Sequence, residues 1–470
     1  MGRKKKALPL LHGITITDIG SEGNAIARVD EMVVFVPGMI PGDVADIRVT
    51  RKKRRYMEGI VTALVTPSPD RIPVKCAHFG VCGGCRWQHL PYDKQLFYKA
   101  KQVRDNLTRI SHAAIPEPEP IIGSEMQYLY RNKLEFTFSD RRWMTRDEII
   151  SGKEIGYEPA LGFHMPGIFD KILEITECHL QAEPSNAIRN RVREYTLKNK
   201  LRYYSLRDHQ GFLRNLIVRT ASSGEIMVIV IFAMEETEER IRLLDFIKKE
   251  FPEITSLYYI INSKHNDSLA DQEPVHYSGK EYITEVMEQL RFRVGPKSFY
   301  QTNSSQALRL YSVARSFAGL TGSETVYDLY TGTGTIACFV ASAASKVIGI
   351  EYIEEAVADA RVNAMDNNIG NVTFVPGDMK DVFNEEFIKV HGSPDVIITD
   401  PPRAGMHEDV VNAILKSSAA RVVYVSCNPA TQARDIGLLS AGYYVKKVQP
   451  VDMFPQTFHV ENVVLMELKR

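Results

Sequence analysis

Val326-Tyr327-Asp328-Leu329-Tyr330-Thr331-Gly332-Thr333-Gly334-Thr335 is the stretch that decides the fold of this 470-residue chain. A β-branched and aromatic run carries an acid near its end, two glycines open a turn, and the apolar stretch from Ile336 to Ala344 continues at helical length. A strand, a glycine turn and a helix start in that order let backbone approach a nucleotide. Gly332 and Gly334 lack Cβ atoms, and the first turn of a helix leaves N–H groups unpaired. A dinucleotide fingerprint would place a third glycine at 337, where this chain has Ala, a replacement the fingerprint tolerates.

Three similar units follow. Lys346-Val347-Ile348-Gly349-Ile350 ends at Glu351, an acid placed to accept ribose hydroxyls. Val372-Thr373-Phe374-Val375 leads to Gly377-Asp378, suited to an adenine, and Val396-Ile397-Ile398-Thr399 leads to Asp400-Pro401-Pro402-Arg403. One acid at a strand end is ordinarily the N-cap of the next helix. Four strands in series that each end in a polar residue follow the logic of a doubly wound nucleotide site.

Arg421-Val422-Val423-Tyr424-Val425 then reads as a buried parallel strand that brings out Cys427, in Ser426-Cys427-Asn428-Pro429, at its carboxyl end. A cysteine there is ordinarily core; the Asn-Pro that stops the strand favours an exposed thiol. Glu461 closes Phe454-Pro455-Gln456-Thr457-Phe458-His459-Val460-Glu461 ahead of a last apolar run. Thiol and carboxylate are the residue types of a nucleophile and a base.

The other cysteines form a second constellation. Cys76, Cys82 and Cys85 lie within ten residues of a glycine-rich loop behind the proline-broken segment Pro67 to Pro73, and Cys178 is the candidate fourth ligand. The remaining two are Cys338, inside an apolar helix, and Cys427. A compact triplet plus a distant thiol suits a cubane iron-sulfur cluster; zinc more often shows paired Cys-x-x-Cys, and it and unligated thiols are the alternatives. His78 and His179 read as bystanders or as donors to the ligands.

Residues 1 to 66 hold five short strand-like runs, Gly13 to Thr17, Ala25 to Val29, Met32 to Val36, Val44 to Val49 and Met57 to Val65, which predict a small β-barrel of the oligonucleotide-binding type. Residues 1 to 60 carry 11 Lys or Arg against 7 Asp or Glu, whereas the whole chain balances at 58 of each, so positive charge is concentrated here. Gly2-Arg3-Lys4-Lys5-Lys6 and Arg51-Lys52-Lys53-Arg54-Arg55 read as phosphate contacts, or as solvated surface. Gln95 to Ile110 reads as an amphipathic helix with Leu96, Ala100, Val103, Leu107 and Ile110 in the core. Residues 125 to 290 mix strands such as Lys133 to Phe138 and Ile226 to Phe232 with helical stretches such as Glu235 to Glu250.

The chain is too long for one core and divides as 1–66 barrel, 67–290 central domain with the cysteines, and 291–470 nucleotide-binding domain. No apolar run reaches the roughly 18 residues of a membrane span, and the basic start lacks a signal-like apolar segment. Six cysteines without such a signal predict a reducing, cytoplasmic location and ligands in place of disulfides.

The motif set resembles the S-adenosylmethionine-dependent methyltransferases. Over the last 180 residues it resembles the uracil-5 RNA methyltransferases, through Phe299-Tyr300-Gln301-Thr302-Asn303, Asp328-Leu329-Tyr330 with Gly332 and Gly334, Glu351, Asp400-Pro401-Pro402-Arg403, Ser426-Cys427-Asn428-Pro429, and Phe454-Pro455 with His459 and Glu461. Gly20-Ser21-Glu22-Gly23, Pro37-Gly38 and Pro41-Gly42-Asp43 resemble the TRAM domain, an RNA-binding barrel. The resemblance implies an α/β fold: a Rossmann-like methyltransferase domain, an amino-terminal OB-type barrel and a mixed α+β central domain. It implies that Gln301, Tyr330, Thr335, Glu351, Asp378 and Asp400 contact S-adenosyl-L-methionine or the target base, that Cys427 is the nucleophile and that Glu461 is the base. Ribosomal members of the family carry the cysteine arrangement, which makes Cys76, Cys82, Cys85 and Cys178 ligands of a [4Fe-4S] cluster. At Gln456 the family frequently has His; the catalytic assignment does not rest on that side chain.

Arg403 after Pro-Pro, where amino-group methyltransferases have an aromatic residue, disfavours an exocyclic nitrogen target, and the absence of a Pro-Cys pair in that motif favours uracil over cytosine. The expected product is 5-methyluridine in 23S ribosomal RNA, with transfer RNA as the close alternative and a non-catalytic RNA-binding factor as the alternative of another class. The expected partner is RNA, with no membrane, and a monomer is favoured.

Overall fold

The computed structural model describes residues 8–144, 146–152 and 158–469. The basic run Gly2 to Lys6 lies outside the described residues.

The amino-terminal unit has six strands, Leu10–Thr15, Asp18–Ile19, Ala25–Val29, Met32–Val36, Val44–Lys52 and Tyr56–Thr66. They form one sheet in the order first, fifth, sixth, fourth, third, second. Its two outermost strands are consecutive in the chain. Between them Ile16 N donates to Asp43 O (2.8 Å) and Thr17 N to Ile26 O (2.8 Å), so one segment bonds both edges and closes the barrel. The expected single strand Gly13 to Thr17 is thus split where it passes from one edge to the other. Ile16, Ala25, Ala27, Val34, Val36 and Ile47 fill the interior.

The central sheet has seven strands in the order Val275–Gly279, Ser256–Ile261, Ile226–Phe232, Leu213–Thr220, Lys133–Ser139, Ala160–His164, Ile172–Glu174. It is antiparallel except between Ile226–Phe232 and Ser256–Ile261, which the crossover helix Thr237–Glu250 connects. Ile226–Phe232 is apolar throughout because both of its faces are buried. One face packs on Leu243, Leu244 and Ile247 of that helix. The other, through Met227, Ile229 and Ile231 and with Ile217 of the neighbouring strand, shares a core with the hairpin Ile283–Met287 and Leu290–Val294 and with the helix Ser304–Ala318. That hairpin straddles residues 290 and 291, and the hydrophobic core runs across them without a break.

The carboxyl-terminal sheet has the order Val372–Pro376, Lys346–Glu351, Thr325–Leu329, Val396–Thr399, Arg421–Ser426, Glu461–Leu468, Tyr443–Val451. The first five strands are parallel, and Glu461–Leu468 runs antiparallel to both neighbours. Chain order reverses between Thr325–Leu329 and Val396–Thr399, the point at which such sheets open a ligand crevice at the carboxyl ends. Helices Ser304–Ala318, Thr335–Ala341 and Glu354–Asp366 cover one face, and Glu408–Ser417 and Pro429–Leu439 the other.

One helix, Tyr92–Ile110, joins the parts. Val103 and Leu107 enter the core of the carboxyl-terminal sheet, but Leu96 and Ala100 are only half-buried and Ile110 is exposed. The buried row is Gln95, Lys99, Val103 and Leu107, at i, i+4 spacing. Helical periodicity locates an apolar stripe; here the stripe is rotated because two polar side chains find buried partners. Lys99 Nζ lies 2.5 Å from Asp452 Oδ1, with both side chains 0% exposed, and donates to Phe454 O at 3.0 Å. Asp452 also accepts from Tyr92 OH (2.9 Å) and Phe454 N (3.0 Å). A charge pair this deep is tolerable only when both groups are matched and hydrogen-bonded. Lys99→Met is therefore expected to destabilise the protein by roughly 3–5 kcal/mol, and Lys99→Met/Asp452→Asn to recover part of that loss. Denaturant unfolding measures both, and a Lys99→Met variant as stable as the parent would contradict the pairing.

Candidate active site

Each parallel strand of the carboxyl-terminal sheet delivers an expected residue to one edge. Tyr330 follows Thr325–Leu329, Glu351 ends Lys346–Glu351, Asp378 stands two residues beyond Val372–Pro376, Asp400 follows Val396–Thr399 and Cys427 follows Arg421–Ser426. Glu461 reaches the same edge because it begins an antiparallel strand. The ladder ends with Ser426 opposite Asn462, so Cys427 and Glu461 are the next residues on two adjacent strands.

The glycine turn is built from left-handed residues, Tyr330 (φ 64°), Gly332 (φ 55°) and Gly334 (φ 79°). A Cβ on Gly334 would press on Phe374 and Ala360 at 2.8 and 2.9 Å, whereas one on Gly332 would meet nothing within 4 Å. Gly332 thus borders open space. Glu351 braces the turn, its Oε2 accepting from Gly332 N and its Oε1 from Ile353 N, both at 3.0 Å. Asp378 caps its own helix, accepting from Lys380 N at 3.2 Å. Thr335 opens the helix Thr335–Ala341 with its hydroxyl 3.4 Å from that of Thr333. Gln301 is held from the central domain, where Asn132 Nδ2 donates to its carbonyl at 2.9 Å, and its side chain bonds Tyr311.

The edge is rich in carboxyl groups. Burial, opposed by a Thr331 hydrogen bond and joined by the fields of Asp400 and Glu351, pushes Asp328 up to about 7. Burial alone pushes Asp400 up to about 7, and burial together with Asp400 pushes Glu461 up to about 8 against the pull of Arg403. Cys427 rises to about 11 through burial and the charges of Glu461 and Asp400, with Arg403 opposing. Asp400 acts on Asp328, Cys427 and Glu461, and Arg403 on Cys427 and Glu461, so these five groups lie near one another at the sheet edge. One oxygen of Asp328, fully buried, has no hydrogen-bond partner.

Two loops of this edge are tied to one another. Arg403 O accepts from Asn428 Nδ2 (3.0 Å) and Thr431 Oγ1 (3.1 Å), and the Asn428 side chain caps Pro429–Leu439. The Arg403 guanidinium faces His459 Nδ1 at 3.5 Å, and burial plus four surrounding cations hold that imidazole down to about 4, neutral at pH 7. Asp328, Arg403 and His459 belong to motifs visible in the sequence, but their roles depend on what they face. Gln95 and Lys99 have no sequence signal beyond a helical period.

The four cysteines also meet. Cys76, Cys82, Cys85 and Cys178 line one cavity of about 360 Å³ with His78 and His179. Burial raises Cys82, and burial together with neighbouring thiols raises Cys85 to about 12 and Cys178 to about 11. His78 Nε2 accepts from Thr176 N at 3.1 Å and so joins the two cysteine segments. Among the described residues no group of three or more His, Cys, Asp or Glu is arranged to hold a metal ion. Tyr130 of the central domain is buried and donates to Pro455 O at 2.9 Å.

The raised carboxyls make a pH dependence. A carboxyl whose folded pKa lies above its unfolded value near about 4 favours the protonated folded state, and that stability disappears as pH climbs through the folded pKa. With Asp328 and Asp400 at about 7 and Glu461 at about 8, the melting temperature is expected to fall from about pH 4 to about pH 8 and to level off above it. Asp400→Asn should flatten that fall; thermal scans in which the variant and parent slopes coincide would contradict it.

Comparison with known proteins agrees with this architecture. The family model described as tRNA (Uracil-5-)-methyltransferase matches residues 270–469, and that of the TRAM domain matches residues 13–62. An uncharacterized RNA methyltransferase of Bacteroides thetaiotaomicron is 57% identical over 96% of this chain and 100% of its own length. Another from Porphyromonas gingivalis is 54% identical over 96% of this chain and 98% of its own. The crystal structure of Pyrococcus abyssi tRNA (uracil-54, C5)-methyltransferase in complex with S-adenosyl-L-homocysteine is similar with a TM-score of 0.74 and 28% identity, covering 96% of this chain and 99% of that one. No described helix is long and apolar enough to cross a membrane. The chain, with its TRAM barrel ahead of a Rossmann-like domain, belongs to the uracil-5 RNA methyltransferase family.

Proposed function

We propose that this protein methylates C5 of uridine in RNA, with large-subunit ribosomal RNA as substrate and S-adenosyl-L-methionine as methyl donor. The observation that carries the reading is the end of one antiparallel ladder, beyond which a thiol and a carboxyl stand on adjacent strands in an acidic pocket.

The residues present suit the donor. Its sulfonium and amino group are cationic, and the crevice offers Asp328 with an unpartnered buried oxygen, Asp400 beside it, and open space over Gly332. Gln301, Tyr330, Thr335, Glu351 and Asp378 surround that crevice and would hold the rest of the molecule. When bound, the donor supplies an electrophilic methyl group.

The protein's task is to make C5 nucleophilic. Cys427 Sγ bonds to C6 of the flipped-out base, and the displaced ring electrons make C5 an enolate carbon able to take the methyl group. Glu461 then removes the C5 proton; the electrons of that C–H bond restore the ring double bond as the C6–S bond breaks and frees Cys427. A carboxyl near about 8 is poised for proton transfer close to neutral pH, and Arg403 favours the thiolate that its neighbouring acids oppose. An intact thiol and carboxyl at the crevice speak against a non-catalytic RNA-binding factor. Unpaired loops of folded RNA make base flipping least costly, and the exposed basic hairpin tip Arg51 to Arg55 would hold phosphates.

Transfer RNA is the second reading. It is favoured by the likeness to a tRNA enzyme through 96% of the chain, which means that barrel and central domain do not separate the two substrates. Mapping 5-methyluridine in ribosomal and transfer RNA from cells with and without the gene decides between them. The four cysteines line one cavity of about 360 Å³, which supports reading them as ligands of a [4Fe-4S] cluster, with zinc as the alternative.

Cys427→Ala is expected to abolish methyl transfer while RNA affinity stays nearly unchanged, and Glu461→Gln to accumulate a protein–RNA adduct that survives denaturing electrophoresis. Turnover by the first variant would overturn the thiol's role, and absence of the adduct that of the carboxylate. Anaerobically purified protein should be brown and yield about four irons and four sulfides per chain; colourless protein rich in zinc would refute the cluster.

A further inference from the structure

The loop between the last two strands, residues 452–460, carries Glu461 at its end, yet most of it is buried. Its apex is Gln456, itself buried, with φ 68°. A left-handed conformation at a residue other than glycine persists only where the surroundings over-determine it. Here they do. Gln456 N donates to Gln95 Oε1 (2.9 Å) while Gln95 Nε2 donates to Gln456 Oε1 (3.0 Å), a reciprocal pair between loop and helix Tyr92–Ile110. Gln456 O accepts from Arg86 N (2.9 Å) and Trp87 N (3.0 Å), in the segment that immediately follows Cys85. Gln95 Nε2 also lies within hydrogen-bond distance of Trp87 O (3.0 Å) and Leu90 O (2.9 Å), so three segments meet at one pair of amides.

Beyond Gln456 the chain has few anchors before the carboxylate. Thr457 Oγ1 donates to Phe454 O (2.7 Å) and accepts from His459 N (3.2 Å), bonds internal to the loop. Residues 452–455 are held by Tyr92, Lys99, Asn303, Gln306 and Tyr130, and between the Gln456 pair and Glu461 the only side-chain approach at hydrogen-bond distance from outside the loop among the described residues is that of Arg403 to His459 at 3.5 Å. The Asp452 end is fixed by Lys99 and Tyr92 next to the preceding strand, whereas the Gln456 pair lies on the side that leads to Glu461.

We propose that Gln95 and Gln456 are positioning residues for Glu461, and that the backbone of Arg86 and Trp87 makes the cysteine loop part of the same support. The inference rests on the assignment of Glu461 as the proton-abstracting base. It gives the cysteine cavity a mechanical link to the reaction that needs no electron transfer. Cys85 is one residue from Arg86, and Arg86 N is one hydrogen bond from the apex of the catalytic loop.

The test separates positioning from general damage by asking which step slows. Proton abstraction from C5 is the step that needs Glu461 in place, whereas addition of Cys427 to C6 does not. Three variants are compared with the parent on an RNA substrate: Glu461→Gln, Gln456→Gly, which keeps the left-handed backbone accessible, and Gln95→Met, which keeps the helix. The expected result for both glutamine variants is accumulation of the covalent adduct. Product release should slow by roughly a hundredfold, the order of loss that a misplacement near 1 Å brings. Turnover of 5-deuterated uridine should show a primary isotope effect that the parent lacks, with donor affinity close to parental at a temperature where each variant is folded. Adduct with Glu461→Gln but neither adduct nor isotope effect with the two glutamine variants would overturn the inference alone. No adduct with any variant would overturn the base assignment and this inference with it.

Discussion

The architecture turns on a buried loop. Residues 452–460 connect two neighbouring strands across the active edge, and a connection placed inside a protein brings backbone groups and side chains that water can no longer satisfy. Tyr92, Gln95 and Lys99 from one helix, Asn303 and Gln306 from a second and Tyr130 from the central domain supply the partners. The loop is consequently not a feature of the Rossmann-like sheet alone. It takes contributions from every part of the chain that follows the barrel, and the barrel itself reaches it where a Cβ on Gly23 would strike Phe458 at 2.6 Å.

This arrangement accounts for the absence of a clean boundary near residue 290. Arg219 donates to Gly295 O and Ser298 O, both at 2.6 Å, and Asn132 binds Gln301 O and Ser304. Those contacts shape the segment that leads into Gln301. The central sheet holds the segment 295–304 and the linking helix holds the loop 452–460, so neither is a passive neighbour of the carboxyl-terminal sheet.

The electrostatics of the edge follow from the same enclosure. Burial holds Asp328, Asp400 and Glu461 toward their neutral forms, and the charge of Asp400 adds to the effect on Asp328 and on Glu461. Arg403 is the permanent cation of this group and sits between the thiol and His459.

Much of this was legible in the chain itself. Alternation of β-branched runs with polar strand ends identified the parallel sheet, and glycines at 332 and 334 marked the turn, since period and turn chemistry are local properties. Glu461 and Cys427 could be placed at strand ends for the same reason. The helix Tyr92–Ile110 was also foreseeable, and Val103 and Leu107 of its expected apolar face are buried, but that face continues through Gln95 and Lys99 in place of Leu96, Ala100 and Ile110. Hydrophobic periodicity assumes that polar residues face water, and that fails wherever a partner waits in the interior. Asp452 lies more than 350 residues away in sequence from Lys99.

The division is therefore physical. Sequence by itself determined which elements form, where chemistry-bearing residues sit along them, and that six cysteines split into a set of four and two others, because propensity, period and motif act over a few residues. Only the tertiary structure decided that the loop leading to Glu461 is bonded to Gln95 of a distant helix, that four thiols share one cavity, and that burial and the Asp400 charge together raise Asp328 and Glu461. Those are effects of burial and proximity, and they exist only once the folded chain has excluded water and brought remote segments within hydrogen-bonding distance.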